Sequence, residues 1–316
     1  MSKERIALVT GASGFVGRRL CDRLRTDGWT VRGLVFPEDA KDDSERKTNI
    51  GDGNDLREGI RWAGSVTHVF HLAAVTFVPT SAKSPALTMD VNITATVNLL
   101  HAVHGSLPNA RTIFVGSASC YGVPETLPMT EDHPFAPTEP YGISKAAADA
   151  YCRYAHQALG YDVIAARPFN HSGPGQSDAF VISSFARQVV EIELGTRDNV
   201  LRTGDLTARR DFSHVDDVID AYVRLAENGK AGEPYNVCAG NSYSAGDVLD
   251  GLRARSNANI DVQPDPERMR PVDIPEVIGS HEKLTRDTDW TPQRDFDTLL
   301  DDVLNYWRNT LDVRGR

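Results

Sequence analysis

The stretch IALVTGASGFVG, residues 6–17, decides the fold. It begins with an apolar run and continues into three glycines, Gly11, Gly14 and Gly17, after which apolar residues recur at helical spacing. Glycines between a strand and a helix let the backbone turn tightly and approach a pyrophosphate, which then lies at the helix N-terminus. The stretch therefore predicts a dinucleotide-binding turn, although a turn of this kind can also serve only to pack a helix on a strand.

Short apolar runs alternate with helical patterns through the first half of the chain. The further runs lie at residues 31–35, 69–72, 113–115 and 163–166 and are apolar, or nearly so, on both faces. Strands have this character when helices cover both sides of a sheet. Strand and helix in alternation imply right-handed crossovers between parallel strands. We therefore predict an α/β fold, a Rossmann-type doubly wound parallel sheet.

The second half of the chain has a different organisation. After about residue 168 the alternation loosens, and prolines divide the chain into shorter pieces. This change predicts a smaller C-terminal substrate-binding domain. We assign residues 1–167 to the dinucleotide-binding domain and residues 168–316 mainly to the substrate domain, with some segments returning to the first domain.

The bulk properties of the chain exclude several functions. Its 316 residues carry a net charge of −10, and neutralising nucleic-acid phosphates would need a basic surface. No apolar stretch approaches the roughly 18 residues of a membrane span, and no signal-peptide core precedes the first strand. The four cysteines include no CxxC pair, and neither His68 with His71 nor His101 with His104 has a third ligand at metal spacing. We expect a cytoplasmic protein with no metal site, no membrane partner and no nucleic-acid partner.

A second motif brings together a tyrosine and a lysine. Tyr141 and Lys145 are four residues apart, so they lie on one helical face. A phenol normally titrates near pH 10, and a nearby ammonium lowers that pKa and makes the phenol a usable proton donor or acceptor. Such a pair is also common on exposed helices. The glycine turn upstream, and Ser117 directly after an apolar strand, favour the catalytic interpretation.

Together these motifs resemble a known family. The chain resembles the extended short-chain dehydrogenase/reductases that act on nucleotide sugars. The resemblance is carried by the glycine pattern, by His71-Leu-Ala-Ala74, by Ser117 four residues before Tyr121, and by the pair Tyr141 and Lys145. The resemblance implies that Ser117 hydrogen-bonds the reacting sugar oxygen and that Tyr141 transfers the proton. It also implies that Lys145 holds the nicotinamide ribose and lowers the pKa of the tyrosine.

The resemblance implies a set of residues around the dinucleotide, with Asp52 at the adenine and Pro168 at the carboxamide end of the nicotinamide. The cofactor-binding set is Gly11, Ser13, Gly14, Phe15, Val16, Gly17, Asp52, Leu72, Ala73, Ala74, Tyr141, Lys145 and Pro168.

Three segments of the second half, residues 167–176, 210–216 and 269–275, resemble those with which the family grips a sugar-linked diphosphate. Arginines suit a pyrophosphate because their planar guanidinium groups form forked, charge-assisted hydrogen bonds. In an acidic protein, such arginines can also be surface ion pairs. The substrate-binding set is Thr76, Ser117, Asn170, Val181, Arg210 and Arg270.

The resemblance is closest to members that reduce the C4 keto group of GDP-4-keto-6-deoxy-D-mannose to give GDP-D-rhamnose. Sugar 4,6-dehydratases of this group carry an acid two residues before a Tyr-Gly pair, often with a second acid before it. Here Ala118 and Ser119 occupy those positions, and neither side chain can act as the base of an elimination. Two alternatives remain, a nucleotide-sugar C4 epimerase that retains NAD and a non-catalytic dinucleotide-sensing protein.

The second apolar run bears on the choice of cofactor. NAD-specific folds usually end their second strand with an acid for the ribose 2′-hydroxyl, but Val35 and Phe36 stand there, followed closely by Glu38 and Asp39. No arginine occupies the strand end to hold a 2′-phosphate, although arginines lie nearby at positions 18, 19 and 32. We predict that NADP(H) and NAD(H) are both accepted, with a modest preference for NADP(H). The family also implies a homodimer.

Overall fold

The computed structural model describes residues 4–37, 40–268 and 274–314, and all structural statements below refer to these residues. The strands are β1 (Ile6–Thr10), β2 (Thr30–Val35), β3 (Glu45–Lys47), β4 (His68–His71), β5 (Arg111–Val115), β6 (Val163–Pro168), β7 (Asn170–Ser172), β8 (Val200–Thr203), β9 (Arg209–His214), β10 (Pro234–Val237), β11 (Ser242–Ser244), β12 (Asp261–Pro264) and β13 (Glu276–Val277).

The helices are α1 (Phe15–Thr26), α2 (Gly53–Ala63), α3 (Val78–Lys83), α4 (Pro85–Met89), α5 (Ala95–Ser106), α6 (Pro140–Leu159), α7 (Val181–Glu193), α8 (Val215–Asn228), α9 (Ala245–Ala254), α10 (Glu282–Thr288) and α11 (Phe296–Arg314). A π-helical turn, Asp90–Thr94, joins α4 to α5, and a 3₁₀ turn, Ala118–Cys120, follows β5. Within the described ranges no helix combines the length and the apolar character that crossing a bilayer requires.

A seven-stranded parallel sheet forms the centre of the molecule, in the order β10-β6-β5-β4-β1-β2-β3. All six residues of β6 are buried, which explains why its sequence is mostly apolar on both faces. The strand order reverses between β1 and β4, and ligands of such sheets bind in the crevice at the carboxyl ends of the strands on either side of that reversal. The predicted doubly wound parallel sheet is confirmed.

Helices cover both faces of the sheet. Helices α1 and α8 share one apolar core cluster with residues of β1, β2 and β6, and α2 and α5 share a second cluster with residues of β1, β2 and β4. Strand β10 and helix α8 both come from beyond residue 168 and still belong to this layer.

The remaining segments build a smaller unit beside the carboxyl edge of the sheet. Its strands are β11-β9-β13 with β7 paired to β9, and a separate pair, β12-β8. Helices α7, α9 and α11 pack there around their own core, which includes Phe185, Leu249 and Leu300. Strand β7 starts two residues after the end of β6, so the two units meet where the central strands end.

Candidate active site

The glycine turn between β1 and α1 is closed by backbone contacts. Gly11 has a φ of +70°, and a Cβ atom there would lie 2.9 Å from the backbone nitrogen of Ala73. A Cβ atom on Gly17 would lie 2.1 Å from the carbonyl oxygen of Gly11. Helix α1 starts after Gly14 without a side-chain cap, so its first backbone N–H groups are not covered by a capping side chain. This bare cradle fits the diphosphate of the dinucleotide that the fold implies.

A buried histidine fixes the exit of β4 beside this cradle. His71 Nδ1 lies 2.8 Å from Thr10 Oγ1 and Nε2 lies 2.9 Å from Thr96 Oγ1. Thr96 donates its hydroxyl hydrogen to the carbonyl oxygen of Asn92 (2.8 Å), so His71 must donate from Nε2 and accept at Nδ1. Thr10 Oγ1 also accepts from the backbone N–H of Ala73 (3.2 Å). Burial lowers the pKa of His71 to about 3, so this neutral arrangement persists at ordinary pH.

Asn92 is a functional candidate that the sequence reasoning missed. Its side chain is buried in the π-helical turn, where it accepts from the N–H of Val75 (2.8 Å) and donates to the carbonyl of Val75 (3.0 Å) and to Ser144 Oγ (2.9 Å). Ser144 in turn donates to the carbonyl oxygen of Tyr141 (2.7 Å). Asn92 therefore ties the loop after β4 to helix α6. The sequence signal that could have indicated Asn92 is a polar amide between the apolar residues of a predicted helix. The structure adds that Asn92 lies in a π-helical turn, and such turns are frequent at functional sites.

Helix α6 brings Tyr141 into the site. Pro140 occupies the first turn, and the Glu139 carboxylate caps the helix by accepting from the N–H groups of Tyr141 (2.8 Å) and Gly142 (2.7 Å). Ser117 follows the end of β5, and its hydroxyl accepts from the N–H of Ser119 (3.1 Å). Burial raises the pKa of Tyr141 to about 12, although a hydrogen bond with Ser117 opposes that rise. The phenol is therefore protonated at neutral pH.

Lys145 lies on the same face of α6 and is almost fully buried. Its ammonium donates to the carbonyl oxygen of Val115 (2.8 Å), and burial lowers its pKa to about 8. We expected this ammonium to lower the pKa of Tyr141. In the described structure the pKa of Tyr141 is raised because burial dominates. The ammonium of Lys145 is hydrogen-bonded to the end of β5.

The pKa of Lys145 predicts a pH dependence of the reaction. The ketone reduction that the motif resemblance implies would leave a developing negative charge on Tyr141, which a charged Lys145 stabilises, so we expect kcat to fall as the pH rises through about 8. The folded pKa lies below the ordinary value of 10.5, so the contribution of Lys145 to stability increases between pH 8 and 10.5 and is lost as the pH falls through 8. The titration of Lys145 itself therefore does not destabilise the fold over the range in which the rate falls. A pH–rate profile that stays flat to pH 10 in a stably folded enzyme would contradict this role, and Lys145→Met should remove the inflection.

The remaining cofactor candidates lie along the same crevice. Leu72, Ala73 and Ala74 follow β4 directly, and Pro168 ends β6 beside Val237 of β10. Asp52 caps helix α2, where its carboxylate accepts from the N–H groups of residues 54 and 55. Ser13, Phe15 and Val16 belong to the glycine turn and the start of α1. Glu38 and Asp39 lie outside the described residues.

The substrate candidates come from both units. Thr76 and Val181 are each next to an exposed phenylalanine, and the rings of Phe77 and Phe180 contact each other edge to face with centroids 5.8 Å apart. The structure therefore brings together the two segments that carry Thr76 and Val181.

The other substrate candidates lie on paired strands. Asn170 is exposed at the start of β7, opposite Phe212 of β9. Arg210 on β9 donates from Nη1 to the carbonyl oxygens of Arg209 (2.7 Å) and Ile274 (2.8 Å). Arg270 lies outside the described residues. Across the described part of the chain, histidine, cysteine and acidic side chains form no cluster of three or more that could hold a metal ion.

The molecule combines a doubly wound parallel sheet and a glycine turn with a serine, a tyrosine and a lysine at the carboxyl edge of the strands. This combination defines an NAD(P)-dependent oxidoreductase of the short-chain dehydrogenase/reductase class. The chain also matches the family model described as GDP-mannose 4,6 dehydratase over residues 8–303. It therefore belongs to that family, and the resemblance inferred from the motifs is confirmed.

Individual relatives share nearly the whole chain. The GDP-6-deoxy-D-mannose reductase of Pseudomonas aeruginosa is 35% identical over 305 residues, which cover 95% of this chain and 96% of that protein. The structure of RMD from Pseudomonas aeruginosa complexed with NADPH has a TM-score of 0.86 and 33% identity, with coverage of 97% and 99%. The UDP-glucose 4-epimerase of Thermus thermophilus in complex with NAD has a TM-score of 0.84 and 27% identity, with coverage of 96% and 99%.

Proposed function

We propose that this enzyme reduces the C4 keto group of a nucleotide-linked 4-keto-6-deoxy sugar, with GDP-4-keto-6-deoxy-D-mannose as substrate and GDP-D-rhamnose as product. The observation that carries the proposal is the hydrogen bond between Tyr141 and Ser117, with Ala118 and Ser119 where a dehydratase needs a carboxyl group. The likeness to a GDP-6-deoxy-D-mannose reductase supports the same substrate class.

In the proposed mechanism the hydride comes from the cofactor and the proton comes from the chain. The glycine turn, the loop after β4 and Lys145 would hold NADPH or NADH, which would supply the hydride when bound. Ser117 and Tyr141 hold the C4 carbonyl oxygen through their hydroxyl groups. Tyr141 then gives its proton to the oxygen as the ketone becomes an alcohol, and the charge on Lys145 stabilises the phenolate that is left.

Reduction and epimerisation use the same three residues, Ser117, Tyr141 and Lys145, because the second half of an epimerisation is itself the reduction of a C4 ketone. The choice of a reductase therefore rests on the similarity to a GDP-6-deoxy-D-mannose reductase.

A turnover screen tests the proposal. Purified enzyme is given GDP-, UDP- and dTDP-linked 4-keto-6-deoxy sugars with NADPH or NADH, and reduced cofactor is followed by absorbance. We expect stoichiometric oxidation with the GDP-linked substrate. Interconversion of C4 epimers by enzyme with retained NAD, without net oxidation, would instead identify an epimerase. Dinucleotide binding with no turnover of any keto sugar would identify a sensor.

The same assay measures cofactor preference. We expect both reduced cofactors to support turnover, with a modest preference for NADPH, because β2 ends at Val35 and no acid stands there. A preference for NADH above roughly a hundredfold in kcat/KM, about 2.7 kcal/mol, would contradict this expectation and would indicate that Glu38 or Asp39 reaches the ribose.

We also propose a homodimer in the cytoplasm. Leu87 on α4 and Ile143 on α6 are 54% and 44% exposed, and apolar side chains this exposed on two adjacent helices favour a covered face. The four cysteines are free and buried, as in reducing compartments. Sedimentation at the 34.6 kDa of a single chain would contradict the proposed homodimer. Recovery of the protein from a secreted fraction would contradict the proposed cytoplasmic location.

A further inference from the structure

An ion pair buried below the site joins helix α6 to the end of strand β6. Arg167 donates from Nε and Nη2 to the two carboxylate oxygens of Asp149, both at 2.8 Å, and each side chain is only 1% exposed. Asp149 follows Tyr141 and Lys145 at successive spacings of four residues, so all three lie along one face of α6. The helix face that carries the catalytic groups is thus anchored at its third turn.

The same guanidinium reaches the segment that carries Ser117. Arg167 Nη1 donates to the hydroxyl of Tyr121 (2.9 Å) and to the carbonyl oxygen of Glu131 (3.0 Å). The hydroxyl of Tyr121 in turn donates to Asn236 Oδ1 on β10 (2.6 Å), and the Tyr121 side chain is completely buried. One side chain therefore connects the helix of Tyr141, the turn after Ser117 and the strand that ends at Pro168.

Stability alone does not account for this arrangement. Moving two charges out of water is costly, and apolar residues of similar volume often replace a buried ion pair without loss of stability. Apolar contact would hold α6 against β6, but it is not directional. A bidentate guanidinium–carboxylate pair fixes both the distance between α6 and β6 and the rotation of α6 about its axis.

We propose that Arg167 and Asp149 are positioning residues of the reaction: they fix Tyr141 relative to Ser117 so that both hydroxyl groups meet the same carbonyl oxygen. The proposal rests on the proposed ketone reduction. Proton transfer requires hydrogen-bond distances, and a displacement of about 1 Å can cost roughly a hundredfold in rate.

A double substitution separates positioning from stability. Arg167→Met and Asp149→Leu alone should each lower the melting temperature, because each removes the two-bond partner of a buried charge. Asp149 would keep only the longer contact with Arg153 Nε (3.5 Å), and Arg167 only its bonds to Tyr121 and Glu131. The double variant Arg167→Met/Asp149→Leu should regain most of the melting temperature. We expect its kcat to stay about tenfold to a hundredfold below the wild type, with an increased solvent deuterium isotope effect and a nearly unchanged KM for the reduced cofactor. Recovery of kcat together with melting temperature would overturn the proposal.

Two further variants keep the test decisive. Tyr121→Phe removes one hydroxyl and leaves the Arg167–Asp149 pair intact, so it should fold and still lower kcat; full activity in this variant would also count against the proposal. Arg294→Met is the matched control, because Arg294 pairs with the buried Asp217 (2.6 Å) on helix α8, outside the network of Arg167 and Asp149. It should lower the melting temperature without changing kcat or the isotope effect.

A failure of the positioning role can be distinguished from a failure of the proposed ketone reduction. If the wild type oxidises no reduced cofactor with any keto sugar, the proposed reduction fails. A crystal structure of the double variant then tests the positioning role independently of activity. We expect a changed separation between Ser117 Oγ and Tyr141 Oη, and an unchanged separation would overturn the role.

Discussion

Tyr141→Phe should retain dinucleotide affinity and lose most of the turnover. The substitution deletes the phenolic proton donor and keeps the ring, so the packing at the start of α6 is preserved. Loss of a positioned general acid costs about 10² to 10⁴ in rate. The measurements are kcat with the GDP-linked keto sugar and the Kd for NADPH from fluorescence titration.

Tyr154→Phe provides the matched control for this prediction. Tyr154 lies on the same helix and is 50% exposed, so losing its hydroxyl should change neither turnover nor cofactor binding. If Tyr141→Phe kept more than half of the wild-type kcat, the proton would come from another group and the assigned role of Tyr141 would be wrong.

Gly17→Ala should weaken NADPH binding by about tenfold to a hundredfold. The added Cβ atom would lie 2.1 Å from the carbonyl oxygen of Gly11 and 3.0 Å from the Cα atom of Ala12. Both are backbone atoms, so the glycine turn itself must shift. Forced overpacking of this kind costs about 1 to 3 kcal/mol, and about 1.4 kcal/mol corresponds to tenfold in affinity. Isothermal titration with NADPH measures the effect.

Gly105→Ala is the corresponding control. Gly105 lies in helix α5, and no atom of the described chain comes within 4 Å of the position of its added Cβ, the helix's own nearby backbone aside. Alanine is a better helix former than glycine, so this variant should be at least as stable as the wild type and should bind NADPH equally well. A Gly17→Ala protein that also bound NADPH within threefold of the wild type would show that the turn tolerates the displacement.

The central sheet was predictable because its signal is local. Each predicted apolar run coincides with a strand to within a few residues, as for residues 31–35 in β2 and 163–166 in β6. A strand covered on both faces must be apolar along its length, whatever the neighbouring elements are. The short strands of the second unit carry no such run. In β9 only Phe212 is apolar, and the other five residues are polar or charged.

The electrostatics of the site were less accessible from the sequence. The spacing of Tyr141 and Lys145 correctly placed both on one helix face, but it could not show the burial that raises the pKa of the phenol. Burial is a tertiary property that no local spacing encodes. The contact between Asp149 and Arg167 joins residues on different elements, and the amide of Asn92 is important only because Val75 and Ser144 fold against it.

The place of β10 in the central sheet has a consequence for synthesis on the ribosome. Strand β10 pairs with β6, and helix α8 covers residues of β6 in the same apolar core cluster. While only the first half of the chain has emerged, β6 is therefore an open edge with an uncovered face, the kind of surface that recruits other strands. The nascent chain cannot complete its dinucleotide-binding layer until Val237 has left the exit tunnel. We therefore expect a chain cut after residue 167 to expose this edge and to remain incompletely folded or to aggregate.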